Sequence, residues 1–276
     1  MGYEIGEMQF SVIIPVLNEE STMGRCISNL DVSSHDVEIL VVDGGSNDGT
    51  PKVAGASGAR VLQSPAGRGP QMNTGAHAAS GTVLVFLHAD TIVPPGVFDF
   101  LSEQFVCPGL QFGAFRTSYN SDSFLLRVYS FFTRFESGFT TFGDQCFVMR
   151  RDFFQAIGGF PEWPLFEDVE FLRRARRVTT VRKFPVEIRT SARKFLKGGI
   201  AVQQLRNIIT MILFHFGVSP QRLYRRYYGI DLKKEGASNA KMNVGYMDYP
   251  LPSLNPVPQS EDRADTFSDE VSGKSA

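Results

Sequence analysis

Three short apolar stretches each end in a polar tip, and these tips hold the residue types that chemistry needs. Phe10–Leu17 contains Pro15 and runs out into Asn18 and Glu19. Val37–Val42 leads into Asp43-Gly44-Gly45-Ser46-Asn47-Asp48-Gly49-Thr50, and Thr82–Leu87 into His88-Ala89-Asp90. A single Asp-Gly-Gly is more often a turn than a site, so the reading rests on the three tips together. Carboxylates gathered in this way have two uses: accepting hydrogen bonds from a base or ribose, or holding a hard divalent cation that bridges a diphosphate. Asp90 suits the second. His88, two residues earlier and on the same side of an extended chain, is a candidate to assist the metal or a phosphate, with a half-buried structural histidine as the alternative. Neither Gly-x-Gly-x-x-Gly nor Gly-x-x-x-x-Gly-Lys-Ser/Thr occurs, which excludes the usual glycine-rich phosphate cradles. Phosphates would fall to a metal and to Arg68, in the glycine-flanked run Gly67-Arg68-Gly69.

For the tips to meet, the stretches that carry them must lie parallel in one sheet. The runs Phe10–Leu17, Val37–Val42, Arg60–Leu62 and Thr82–Leu87 are rich in Val, Ile and Leu and lack polar alternation. Longer stretches of helical character separate them, the pattern of buried parallel strands joined by crossover helices. In such a sheet the ligand lies beyond the carboxyl ends of the strands. The first crossover helix is predicted from Glu19 or Glu20 through Leu30. The third holds Met72, Gly75, Ala76 and Ala79, small enough for close packing on a sheet, and Pro94 and Pro95 open a helix over Gly96–Phe105. After residue 110 the pattern is mixed. A strand is predicted at Phe112–Ser118, a helix at Phe124–Phe135 and a strand near Gln145–Met149. Short helices follow at Arg151–Ile157 and Glu167–Arg177, then an amphipathic helix at Gly199–Phe216. From about residue 232 the Pro-, Ser- and acid-rich chain reads as a disordered tail through 276.

Taken in order, Phe10–Glu19, Val42–Thr50, Arg68 with Asn73 and Gly75, Leu87–Asp90 and Glu167-Asp168 resemble the family-2 glycosyltransferases of the GT-A type, over residues 10 to about 190. The resemblance implies an α/β fold, a GT-A-type Rossmann-like nucleotide-binding domain with a mixed central sheet, over residues 1–231. Within it, 10–110 would be the nucleotide-sugar-binding half, 111–197 the acceptor and catalytic half, and 198–231 amphipathic C-terminal helices. It further implies a nucleotide-diphosphate-sugar donor, Mn²⁺ or Mg²⁺, and inversion at the anomeric carbon. Matched position by position, Glu19 and Asp43 fall on nucleoside-binding residues, with Asp43 against the base. Pro15, Gly44, Arg68, Asn73, His88 and Ala89 join the donor-binding set. Asp90 matches the last acid of a metal-binding Asp-x-Asp, and His88 stands where that motif usually has its first Asp, which makes it the second metal candidate. Asp144 and Gln145 match a loop that shapes the donor and acceptor pockets. Asp168 matches the general base and Glu167 its support. An inverting transfer is a single displacement, so one carboxylate must take the acceptor proton. The structural alternative is that Glu167 and Asp168 only begin a helix whose dipole they complement. Trp163, the sole Trp, could stack on a sugar or acceptor or anchor its loop.

Composition bounds these readings. The 276 residues, 42% apolar and 21% charged, suffice for one large globular domain or two small ones. Twenty-four Phe against one Trp predict large apolar surfaces, most in the core and some facing lipid or an apolar substrate. The net charge of -1 hides an asymmetry: residues 1–172 hold 9 Lys/Arg and 20 Asp/Glu, whereas residues 173–228 hold 14 and 1. Such a basic segment, followed by an amphipathic helix and Tyr224–Tyr228, fits peripheral contact with an anionic membrane. The alternative for Arg173, Arg174, Arg176 and Arg177 is a solvated helix face. Nucleic acid is not expected, because no zinc-finger spacing, RNP-like pattern or basic zipper accompanies the charge. Cys26, Cys107 and Cys146 are odd in number and widely spaced, against a disulfide framework and for a reducing, cytoplasmic setting. Residues 1–7 do not read as an export signal, and no apolar run approaches the ~20 residues of a membrane span. The leading expectation is a metal-dependent inverting transferase acting on a small-molecule or lipid acceptor. A sugar nucleotidyltransferase is the enzymatic alternative, although the first tip lacks its glycine-rich loop. The alternative from another class is a non-catalytic membrane-surface binder on the same fold.

Overall fold

The computed structural model describes residues 8–32, 35–121, 123–138, 140–192 and 200–229; the expected tail over 232–276 lies outside them. The first elements alternate as predicted: β1 Phe10–Val16, α1 Glu20–Ser28, β2 Val37–Asp43, α2 Thr50–Ala56, β3 Arg60–Gln63, α3 Arg68–Ala78 and β4 Val83–Phe86. There follow β5 Thr91–Ile92, α4 Val97–Phe105, β6 Phe112–Tyr119, α5 Phe124–Phe132, β7 Phe147–Arg150, α6 Arg151–Ala156, α7 Glu167–Ala175, β8 Arg182–Thr190, α8 Ile200–His215 and α9 Pro220–Tyr228. All eight strands form one sheet in the order β3-β2-β1-β4-β7-β6-β8-β5. β1 pairs in parallel with β2 and β4, so Asp43 lies opposite Val16 and the carboxyl ends share one edge. β7 is antiparallel to β4 and to β6, which turns the sheet from parallel to mixed.

Along β1 successive side chains face opposite layers. Val12 and Ile14 pack with Met23 and Ile27 of α1 and with Phe98, Leu101 and Phe105 of α4. Ile13 faces the other layer with Met72 and Ala76 of α3 and a cluster of phenylalanines that includes Phe86, Phe112, Phe147, Phe154 and Phe171. Twelve of the 24 Phe are thus buried in the core, short of the expected majority. Gly75 permits the closest approach: a β-carbon there would stand 2.4 Å from Ile13 Cγ2, so the helix lies nearly against the strand. That fits the small-residue prediction for this helix.

Three boundaries differ from expectation. Arg68 opens α3 instead of lying in a loop. α4 starts at Val97, after Gly96 in a left-handed conformation (φ +73°), so Pro94 and Pro95 precede the helix without opening it. β7 starts at Phe147, because Gly143–Gln145 closes into a 3₁₀ turn. Of the basic residues on α7 and just after it, Arg174 turns inward, Arg173 and Arg177 stay exposed, and Arg176 is half-buried. Arg174 is buried and donates to the carbonyls of Ile157 (2.9 Å) and Gly159 (2.6 Å), Arg173 pairs with Glu170, and Arg176 pairs with Glu136. Arg193, Lys194 and Lys197 fall outside the described residues.

Candidate active site

The first tip and the second are laced together. Asn18 takes φ +56° and donates its N–H to Ser46 Oγ, while its Oδ1 accepts from Asn47 N at 2.8 Å; Glu19 N donates to buried Thr50 Oγ1 at 2.8 Å. Gln71 of α3, itself buried, donates to the carbonyls of Val16 and Val42, both at 2.8 Å, and clamps the ends of β1 and β2. Gly44 leaves room for that clamp, since a β-carbon would meet the Gln71 amide at 3.0–3.2 Å. Gln71 was not singled out from the sequence, and nothing in its neighbourhood marks it. Asp43 is 2% exposed, and its carboxylate accepts from Ser46 N, Ser46 Oγ and Gly45 N; it is turned into its own loop. Glu19 Oε2 accepts from Thr22 Oγ1 at 2.8 Å.

At the third tip Asp90 is half-buried, and its Oδ1 accepts from Thr190 Oγ1 of β8 at 3.2 Å. Asp90 and Glu19 both lie near enough to buried Cys26 to help burial push that thiol up to about 12. Among the described residues no three His, Cys, Asp or Glu side chains are grouped to hold a metal by themselves. His88 Nε2 lies 2.7 Å from the Gly143 carbonyl. A carbonyl only accepts, so Nε2 carries the proton. His88 Nε2 thereby ties the third tip to the 143–145 turn, with Arg68 Nη2 3.4 Å away. Ala89 beside it is buried.

Two other expected donor contacts are also structural. Both halves of the Asn73 amide are used by Phe160, the Nδ2 donating to its carbonyl (2.8 Å) and the Oδ1 accepting from its N–H (2.9 Å). Gln145 is fully buried, donating to the Thr140 carbonyl and accepting from Lys183 Nζ. Both amides thus brace the fold, Gln145 out of reach of solvent and Asn73 half-buried.

The acid pair opens α7 from a strained start. Phe166 adopts φ +66°, which is costly for a bulky residue, and Cys146, closing the facing turn, adopts φ +48°. Strain at Cys146 and Phe166 therefore borders the same site. Phe166 turns Glu167 inward and Asp168 toward the turn: Asp168 Oδ2 accepts from Gly143 N at 2.6 Å and Oδ1 from Val169 N at 2.8 Å. Glu167 is 5% exposed. Arg68 Nε stands 3.3 Å from Glu167 Oε1, an ion pair outside hydrogen-bond alignment. Burial outweighs that cation and, with Asp168 adding to it, raises the Glu167 carboxyl to about 7. Asp144 accepts from Tyr119 (2.6 Å) and Tyr129 (3.3 Å) on one oxygen; its other oxygen is buried with no hydrogen-bond partner. Burial raises its carboxyl too.

Two hollows meet at this point. A narrow cleft runs past Pro15, Leu87, His88 and Gly143 to Asp168. A cavity of about 850 Å³ opens on the other side, walled by Tyr129 and Phe132 of α5, Phe142, Leu165, Phe166 and Ile208, Met211, Ile212 and Phe216 of α8 and its end. Arg68 and Asp168 line both. Trp163 packs edge-on against Phe214 of α8, which favours the loop-anchor reading.

A parallel nucleotide-type half continued into a mixed sheet, with an acid pair at the seam, is the architecture of GT-A-type glycosyltransferases. The chain belongs to glycosyl transferase family 2, whose model matches residues 11–158. Among curated relatives, glucosyl-3-phosphoglycerate synthase of Mycobacterium tuberculosis is 34% identical over 115 residues, covering 35% of this chain and 36% of that protein. The glycosyltransferase AglE of Haloferax volcanii is 33% identical over 90 residues, covering 29% and 30%. The matched stretch thus spans about a third of these relatives' length. Among solved structures, the mannosyltransferase PcManGT of Pyrobaculum calidifontis, in complex with GDP-Man and Mn²⁺, superposes with TM-score 0.58 at 16% identity over 83% of this chain and 72% of that one. The Mycobacterium tuberculosis synthase with Mg²⁺ and UDP superposes with TM-score 0.50 at 21% identity over 69% and 75%.

Proposed function

We propose that this protein is a metal-dependent, inverting transferase that moves a sugar from a nucleoside-diphosphate-sugar to an acceptor hydroxyl, with Asp168 as base. The observation that carries the reading is that Asp168 and Arg68 alone border both the cleft at the strand ends and the large cavity beyond them. Residues 10–110 supply the donor side, where Glu19, Asp43 and Gly44 frame the nucleoside, and residues 111–197 supply the acceptor side. The relatives support the class: their solved complexes hold UDP with Mg²⁺ or GDP-Man with Mn²⁺.

Asp90 would hold the divalent cation together with diphosphate oxygens, which fits a hard metal that retains oxygen ligands, and the bound metal would neutralise the departing diphosphate. The chain's own groups do the rest. Gly143 N and Val169 N hold the Asp168 carboxylate in place. That carboxylate takes the proton of the acceptor hydroxyl as its oxygen bonds to the anomeric carbon, and the electron pair of the broken C–O bond leaves with the diphosphate. Arg68 supplies positive charge between Glu167 and the leaving group. The walls of the large cavity support an acceptor with an apolar portion, such as a lipid-linked hydroxyl, taken by an enzyme that works at an anionic membrane surface.

A screen of UDP- and GDP-sugars for hydrolysis with Mn²⁺ or Mg²⁺ tests the class. The expected result is one donor hydrolysed only when metal is present. Failure of every donor to bind or react would remove the reading.

A further inference from the structure

The geometry points to a bilayer-docking surface built from α5 and α8 and rimmed by arginines, which seats the enzyme on anionic lipid with its large cavity facing the membrane. The inference rests on the transferase reading for the use of that cavity, and on independent observations for the surface. α5 buries Leu126 alone and turns Phe124, Leu125, Val128, Phe131 and Phe132 outward, with Phe124 69% exposed. α8 and the residue after it do the same with Val202, Leu205, Ile208, Ile212 and Phe216, the last 83% exposed. Scattered apolar residues on a surface are ordinary, but two adjacent helices with apolar outer faces are not. Phe132, Ile208, Ile212 and Phe216 are both exposed and cavity-lining, so the cavity opens through this face.

Charge selects the occupant. Arg127 and Arg134 flank α5, and Arg206, Arg222, Arg225 and Arg226 border α8 and α9; all six are exposed. Residues 124–135 and 200–229 contain no Asp or Glu. A second copy of the chain packed through the same face would bring these arginines against each other with no acid between them. A surface carrying phosphates on its rim and hydrocarbon beneath satisfies both parts: aromatic and aliphatic side chains enter the interface while Arg stems lie along it with their guanidiniums at the headgroups. None of the described helices is long and apolar enough to cross a membrane. Arg206, Arg222, Arg225 and Arg226 fall within the basic segment 173–228 that the sequence singled out, whereas Arg174 of the same segment is buried and Arg173 and Arg176 are held in ion pairs.

Vesicle co-sedimentation of the full chain tests this, using phosphatidylcholine alone and an equal mixture with phosphatidylglycerol. The expected result is partitioning onto the mixed vesicles only, reduced by added salt. Phe124→Ser with Phe131→Ser, neither residue lining the cavity, should weaken partitioning at least ~10-fold. Arg225→Ser with Arg226→Ser should weaken it by about five-fold per charge. The thermal transition and metal-dependent donor hydrolysis should stay as in the parent, which shows that the variants fold. Absence of binding to mixed vesicles, binding insensitive to both pairs, or a solution dimer dissolved by the Phe pair would each overturn the inference. Vesicle binding without any donor hydrolysis would leave the surface standing and remove the transferase reading instead.

Discussion

The two halves of the site satisfy their polar groups in opposite ways. On the donor side nearly every group at the strand ends is spent within the fold: Asp43 on the 44–46 turn, Gln71 on β1 and β2, Asn73 on Phe160. On the acceptor side one oxygen of Asp144 is buried without a hydrogen-bond partner, Glu167 meets Arg68 out of alignment, and Phe166 holds a left-handed conformation. A saturated network rigidifies a frame, whereas unsatisfied groups and strain persist only where the surrounding structure enforces them. On the proposed reading the donor half is a preformed cradle, and the acceptor half stores the cost of function.

The largest effect should come from Asp90, the carboxylate at the third tip. If Asp90 holds the metal as proposed, Asp90→Asn replaces that carboxylate by a neutral amide, and calorimetry should find nucleotide affinity no longer raised by Mn²⁺; undiminished metal dependence would take Asp90 out of the metal site. Next comes the frame itself. Gly75→Ala places a β-carbon against Ile13 and should destabilise by roughly 1–3 kcal/mol in denaturant melts, despite alanine's better helix propensity. A stabilised variant would mean that α3 can shift, and the cradle would not be rigid. Phe166→Gly should do the reverse: stability should change by under ~1 kcal/mol, as relief of strain offsets lost contact with Phe214, while turnover falls. Equal losses in both measurements would erase the distinction between the halves.

The smallest effect is one of slope. The folded Glu167 carboxyl keeps its proton to about 7, whereas an unfolded one releases it near 4.5. Its contribution to stability is full below pH 4.5 and is lost as pH rises through 7. Glu167→Gln should flatten the melting temperature across that window, and an unchanged slope would place the titration elsewhere.

The same contrast explains what the sequence disclosed. β1 to β4 are continuous apolar runs with punctuated ends, and periodicity finds such strands. β8 reads Arg-Lys-Phe-Pro-Val-Glu-Ile-Arg-Thr, a charged stretch whose Pro185 argues against a strand; it pairs because the register with β6 shifts between Ala114 and Arg116, where the proline is tolerated. β5 is two residues held by β8, too short for any pattern. The acid pair was legible as a motif, but the positive φ at Phe166 that aims it has no signature in a Phe codeword. The bracing bonds of Asn73 and Gln145 were hidden for a related reason: residue type shows hydrogen-bonding capacity, and only the fold shows where it goes.

The central claim is that Asp168 takes the acceptor proton, and separating binding from chemistry in Asp168→Asn tests it most directly. With the donor found by the hydrolysis screen, the variant should keep most of its donor affinity while turnover falls by roughly 10²–10⁴-fold, with Glu167→Gln milder. Turnover unchanged in Asp168→Asn, or a heavier loss in Glu167→Gln, would contradict the account.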